Sequence, residues 1–402
     1  MWHGFVGCIV NMKIVVNVSS IAQPLTGIGH YSLNLVRELN QAPEVADIQG
    51  FYSKGWMSRA DMAHRFESFE ATAPGSFDAP SIARRALAVA RKIPAARSLK
   101  RKMIGARLYR KRGQLADYIY WEPNYLLYPY DGVSISTIHD LSHLYFPHYH
   151  PKERVKALAQ QLPRTIDSSR QIITVSRFSQ SQILSGFPVS RNRISVVYPA
   201  VSDLFRAHKS DLQKQQLRQK FRLPDRFILS VGTMEPRKNL TGLIRAFRML
   251  PAPVQKQYPL VFVGAKGWLS EDLERQISRL ESAGLARRLG YVSNQEVAIL
   301  YAAATVFAYP SFYEGFGMPV AESMASGTAV VTSNLSSMPE VAGGAAELVD
   351  PNDETSIRNG LERLLEDDDY RTGLELKGLE VSASYTWAHS CRKLLEVFAN
   401  AQ

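Results

Sequence analysis

Cysteine is nearly absent from this chain: its 402 residues contain two, Cys8 and Cys391. Two thiols this far apart make neither a disulfide framework nor a metal cluster, and a reducing cytoplasm is the simplest compartment for them. Long hydrophobic runs are missing too. Nothing approaches the roughly 20 apolar residues that a membrane-spanning helix needs. The apolar stretch Met1–Val10 lacks the basic residues that open a signal peptide and runs straight into a strand-like segment. Met12, followed by Lys13, is an alternative start. Acidic residues are missing from one long segment. Arg84, Arg85, Arg91, Lys92, Arg97, Lys100, Arg101, Lys102, Arg107, Arg110, Lys111 and Arg112 occur there without an Asp or Glu, interleaved with Ala, Val, Leu, Ile and Met.

That segment makes the charge lopsided: residues 1–200 carry 25 Lys and Arg against 13 Asp and Glu, and residues 201–402 carry 23 against 24. A basic amphipathic stretch suits an anionic lipid surface, at about 1 kcal/mol for each basic side chain near the membrane. Arg97, Lys100, Arg101 and Lys102 are the expected membrane or acceptor face. A helix with a merely solvated charged face is the plainer reading. Nucleic acid fits less well, because Tyr109 is the segment's one aromatic for bases to stack on.

What the chain has in quantity is a repeating strand, loop and helix rhythm. Short apolar runs at Phe227–Val231, Leu260–Val263, Arg288–Val292, Val306–Tyr309, Ala329–Thr332 and Glu347–Val349 each precede a helix-like segment. Lys13–Val18, Ile48–Tyr52, Tyr118–Trp121, Ser134–Ile138, Gln171–Val175 and Ile194–Val197 repeat the theme less regularly. Such strands imply parallel sheets covered on both faces. The fold class is therefore α/β, with two doubly wound Rossmann-like domains facing one another across a cleft. The first spans 1–200 and contains the basic insertion 84–112. The second spans 201–385, and a C-terminal helix in 386–402 is expected to pack back on the first. Tyr198-Pro199 and the polar run Ser210–Lys220 mark the hinge region.

Ligands bind such sheets outside the carboxyl ends of the strands, which selects the polar residues to consider. After the first strand come Gly27 and Gly29, whose missing side chains would let the backbone approach a phosphate or acceptor. His139 follows the Ser134–Ile138 strand and faces the cleft. After Phe227–Val231 comes Gly232-Thr-Met-Glu-Pro-Arg-Lys-Asn239, which places Arg237 and Lys238 where a diphosphate needs paired cations and leaves Asn239 to cap a helix. After Val306–Tyr309 comes the most informative stretch, Glu314-Gly-Phe-Gly-Met-Pro-Val-Ala-Glu322. Two carboxylates eight positions apart there flank a glycine-rich bend, with Pro319 pre-set for a first helical turn. The arrangement suits a sugar nucleotide, one carboxylate near the hexose and the other on ribose hydroxyls. Asp367-Asp368-Asp369 mimics a metal-binding pair but reads as the solvated acidic end of a helix.

Together these residues resemble the retaining glycosyltransferases of family 4, the group 1 family, which have the GT-B fold. The match runs through Gly232–Asn239, Tyr309–Gly327 and Ser337-Met-Pro-Glu-Val341, in order and spacing. The wording is most similar to bacterial mannosyl- and rhamnosyltransferases of O-antigen or exopolysaccharide synthesis. The resemblance implies that Arg237 and Lys238 bind the donor pyrophosphate and Glu322 the ribose. It implies that Glu314, with the backbone of Phe316, Gly317 and Met318, holds the transferred hexose. His139 would contact that hexose from the other domain, and the Gly27–Gly29 loop would close over the phosphates. Thr233 departs from the pattern, since many members have Arg there. No metal or cofactor is implied, only a nucleotide-sugar donor, with GDP-mannose favoured, and a growing, lipid-linked glycan acceptor on the inner face of the plasma membrane. The alternatives are a sugar-nucleotide epimerase on the same fold and a basic nucleic-acid binder.

Overall fold

Two parallel sheets organise the chain in a computed structural model that describes residues 11–21, 25–71, 94–265, 271–290 and 292–402. The first is built from β1 (Met12–Asn17), β2 (Val45–Tyr52), β3 (Gly55–Met57), β4 (Ile119–Glu122), β5 (Ser134–Thr137), β6 (Gln171–Thr174) and β7 (Ile194–Val196) in the order β3-β2-β1-β4-β5-β6-β7. All neighbours are parallel except β3, a short edge strand antiparallel to β2 that the sequence pattern did not announce. The second contains β8 (Ile228–Val231), β9 (Leu260–Val263), β10 (Ala286–Gly290), β11 (Val306–Tyr309), β12 (Val330–Ser333) and β13 (Glu347–Val349) in the order β10-β9-β8-β11-β12-β13, parallel throughout.

The continuous apolar strands are explained by double-sided burial. Val15 and Val16 are both fully buried. Alternation sends Val15 to the face that holds Phe51, Tyr120 and Ile104, and Val16 to the face that holds Leu35 and Trp121. Neither face meets water, so no polar alternation is written into the strand.

Two expectations shift. Ser210–Lys220, read as part of the hinge region, is helical: Ser210 accepts from Gln213 N while the Gln213 side chain accepts from Ser210 N, a capping box that starts the helix Asp211–Phe221. The connection is confined to the residues before it. Arg288–Val292 moves two residues upstream to β10, because Arg288 sits inside the strand and is half-buried by its bonds to Glu274 and Glu281.

The helix Trp387–Ala399 lies against the first sheet's domain. Phe398 meets Trp121 of β4 edge to face at 6.0 Å, Trp387 meets Tyr31 at 6.2 Å, and Ser390 Oγ donates to Tyr198 O at 2.6 Å. Asp367 ends one helix and begins the next, Asp368–Ser382, by accepting from Tyr370 N. Among the described residues no helix is long and apolar enough to cross a membrane, and no group of three His, Cys, Asp or Glu side chains could hold a metal ion.

Candidate functional site

The carboxyl ends of β8 and β11 bring together what 76 residues of sequence separate. Past β8 the chain turns at Gly232, whose φ of +147° suits glycine, and runs through a short 3₁₀ turn, Pro236–Lys238, that presents Arg237 and Lys238 side by side. Asn239 then enters the left-handed region, accepts from Gly242 N at 3.2 Å and donates to Pro351 O at 2.7 Å, which starts the helix Leu240–Arg248. Past β11 the loop returns Glu314 to these cations. Its Oε1 accepts from Lys238 Nζ at 2.6 Å and its Oε2 pairs with Arg237 Nη1 at 2.7 Å. Tyr309, at the end of β11, donates to Glu314 Oε1 at 2.9 Å and also contacts Lys238 Nζ.

The electrostatics follow from burial. Burial alone would push the Glu314 carboxyl up, but the charges of Arg237 and Lys238 overcome it and hold it down at about 2. Glu314 is therefore an anion at neutral pH. Burial pulls Lys238 below the usual lysine range against the pull of Glu314. For Arg237 burial also acts downward, and the Glu314 carboxylate reverses it. Glu235 Oε2 also lies 3.6 Å from Arg237 Nη2, so the two cations are held among carboxylates at a strand end.

Gly317 follows at φ +108°, where a Cβ would lie 2.2 Å from Met338 Cε. It opens the helix Met318–Ala325, whose first turn has Pro319 and no side-chain cap, so its leading amides face outward as a partial positive charge. Met318 stands at the helix start. Phe316 turns its ring inward against Tyr198 and Tyr385, leaving its backbone at the bend. Glu322, one turn on, is pushed up to about 7 by burial, a shift that the 3.4 Å hydrogen bond from Tyr301 only partly offsets.

On the opposite domain, His139 follows β5. Its Nε2 lies 2.8 Å from Pro123 O. A carbonyl can only accept, so Nε2 carries the proton and Nδ1 keeps its lone pair. Burial lowers the His139 pKa, leaving a neutral ring. The His139 carbonyl and Asp140 abut Gly315: a Cβ there would sit 2.7 Å from His139 O and 2.9 Å from Asp140 Cβ. Sequence reasoning passed over Asp140, whose charge is felt by Arg237, and Tyr309. A polar group closing a strand was the available signal for both.

Gly27 and Gly29 divide differently from expectation. Gly29 is used internally, since a Cβ would lie 2.9 Å from Ser20 O and its N–H donates to Thr26 Oγ1. Gly27, at the start of the helix Gly27–Gln41, has open space.

The basic segment is only partly a free surface. Arg84 to Lys92 lie outside the described residues. Arg97 and Lys100 fall in the helix Pro94–Arg110. Arg101 turns inward, donating to Leu127 O at 2.7 Å and lying over the Tyr128 ring, because Ile104 and Leu108 of the same helix are buried. Lys102 is exposed beside Met103, which is 50% exposed.

Two family models match most of the chain: Glycosyltransferase Family 4 over residues 26–203 and Glycosyl transferases group 1 over 213–378. O-antigen chain mannosyltransferase B of Escherichia coli is 35% identical over 388 residues, 96% of this chain and 99% of that protein. The serotype-specific mannosyltransferase WbdA of Escherichia coli is 34% identical over 232 residues, 56% of this chain and 28% of that longer protein. Among solved structures, Anabaena Alr3699/HepE in complex with UDP and glucose superposes with a TM-score of 0.66 over 97% of this chain and 100% of that one, at 16% identity, a likeness of fold.

Proposed function

Because the chain belongs to glycosyltransferase family 4, the group 1 transferases, we propose that it moves mannose from GDP-mannose to a growing O-antigen-type glycan, with retention of anomeric configuration. The observation that carries the reading is the buried Glu314, Arg237 and Lys238 cluster at the strand ends of the second sheet. Mannose and the glycan acceptor come from the named relatives. The epimerase alternative has no support among them.

The chemistry follows from the residue types. Breaking the anomeric C–O bond leaves charge on the departing diphosphate, where Arg237, Lys238 and the amides at the head of the Met318–Ala325 helix stabilise it. Held near pKa 2, Glu314 supplies no proton; it orients both cations and accepts from hexose hydroxyls. Glu322 receives the ribose hydroxyls. The Nδ1 lone pair of His139 accepts from the hexose across the cleft. The acceptor hydroxyl then passes its proton to the departing phosphate oxygen on the same face. The exposed face of the helix Pro94–Arg110 lies on an anionic membrane and brings the enzyme to a lipid-linked acceptor.

The test is a product-forming screen of purified protein with GDP-, UDP- and dTDP-sugars and a mannan-type oligosaccharide acceptor, run with and without a chelator. GDP-mannose is expected to extend the acceptor by an α-linked residue in both conditions. A new sugar nucleotide without extended glycan would overturn the transferase reading.

A further inference from the structure

The loop that carries Glu314 is gripped by the opposite domain. The Tyr313 ring stands against Phe146 at 5.3 Å and Phe178 at 5.5 Å, and its hydroxyl accepts from Leu141 N at 3.2 Å. Gly315 O accepts from Ser176 Oγ at 2.6 Å and from Ser179 Oγ at 3.2 Å. Behind these contacts stands Glu340, on the helix Met338–Ala342 of the second domain. Its Oε1 accepts from Arg177 N at 2.7 Å, its Oε2 from Phe178 N at 3.0 Å, and Tyr198 OH donates to Oε1 at 2.7 Å.

Arg177 and Phe178 open the ten-residue helix Arg177–Gly186 of the first domain. A helix leaves its first amides without internal partners. Ser176 satisfies the amide of Ser179 at 2.9 Å from within the same domain. The two amides before it are satisfied from across the cleft, by a carboxylate more than 160 residues further along the chain. Negative charge is favourable at that helix end. Arg177 is exposed, so water replaces Glu340 when the domains part and the helix survives. A cap that is favourable when made and harmless when broken is a reversible latch.

We propose that Glu340 is a positioning residue for sugar transfer: by capping the Arg177–Gly186 helix from the second domain, it holds the closed arrangement in which His139 and Asp140 stand against Gly315. Gly315 is tight enough there to register the difference, since even a Cβ would lie 2.7 Å from His139 O. Opening the latch separates His139 from the Glu314 loop while leaving Arg237 and Lys238, which lie wholly in the second domain, as they were. The kinetic part of this inference rests on the transferase reading, and the structural part does not.

The test uses full-length Glu340→Ala, Glu340→Gln and Tyr198→Phe proteins. Solution scattering with and without GDP reads closure, calorimetry reads GDP affinity, and steady-state kinetics reads transfer. Glu340→Ala is expected to raise the radius of gyration in the presence of GDP. It should lower kcat about tenfold, equivalent to about 1.4 kcal/mol of closure, with GDP affinity and Tm little changed. Glu340→Gln, which keeps one acceptor, and Tyr198→Phe, which removes one of three donors, should fall between it and wild type on both closure and kcat. Wild-type scattering in Glu340→Ala overturns the latch, as does a lowered Tm with closure and kcat unchanged. If wild type transfers no sugar, the functional reading fails while the scattering still decides the latch.

Discussion

Glu314 is the residue on which the site turns, and its surroundings decide how it is to be tested. Removing the side chain leaves Lys238 buried without its ion pair and Arg237 with only the longer contact to Glu235, and breaking a buried pair from one side typically costs about 3–5 kcal/mol. An inactive Glu314→Ala protein would thus confound chemistry with folding. Glu314→Gln also removes the charge but keeps the volume and an acceptor, so its fold is checked before its rate, and Lys238→Ala leaves Glu314 paired with Arg237 and Tyr309. Each is expected to lower kcat/KM at least about 100-fold with an unchanged circular dichroism spectrum, because the proposed mechanism has both groups act where charge changes in the transition state. Near wild-type rates in either folded variant would remove the cluster from the mechanism. That these residues stand at strand ends was legible, since they follow the apolar runs directly. Their pairing was not, because a contact across 76 residues depends on β8 and β11 being neighbours, an order that no local pattern contains.

At the scale of elements, strands were the most legible feature because double-sided burial writes itself as uninterrupted apolar residues. The failures are equally physical. β3 is three residues long, too short for any pattern. The run Ser210–Lys220 is polar on most of its surface and buries Leu217, so its helix is announced by its cap alone. The basic helix Pro94–Arg110 is an intermediate case. Its cations promised one charged face, but Ile104 and Leu108 anchor it, and Arg107 bonds Tyr52 O and Ser53 O. Among the described side chains, Lys102, Met103, Ala106, Tyr109 and Arg110 remain outward, at the spacing of one helical face. Two exposed apolar side chains flanked by cations fit a lipid interface better than bulk water. Reversing Lys102 and Arg110 to Glu is expected to release the protein from vesicles containing anionic lipid, and added salt should do the same to wild type, since screening acts over about 8 Å at physiological ionic strength. Arg101→Glu is a poor probe, because it removes the bond to Leu127 O. Unchanged sedimentation of the double variant with vesicles would leave this face an ordinary solvated one.

For the molecule as a whole, the site's carboxylates pull stability in opposite directions with pH. Glu314 is held near 2, so the stability it contributes is present above its ordinary value of 4.5 and is lost only as pH falls through about 2. Glu322 is raised to about 7, so its contribution is full below 4.5 and is lost as pH rises through about 7. Glu122, buried at the end of β4 beneath bonds from Asn17, Tyr120 and Asn124, is also raised to about 7 and acts with it. His139 and His143 run the other way, since burial lowers both and their neutral forms favour the folded state as pH rises toward 6.5. The total is therefore a poor readout, and a difference isolates one group. Glu322→Gln resembles the protonated acid and keeps an acceptor for Tyr301. It is expected to match wild type in stability at pH 5 and to exceed it at pH 8 by on the order of 2 kcal/mol, seen by calorimetry as several degrees of Tm. If Glu322 binds ribose as proposed, donor affinity should move the opposite way, falling in Glu322→Gln at pH 8, where wild type carries a full carboxylate. A stability gap that does not change between pH 5 and pH 8 would mean that Glu322 is ionised throughout, and with it would go the case that this half-buried carboxylate is kept for binding at the expense of stability.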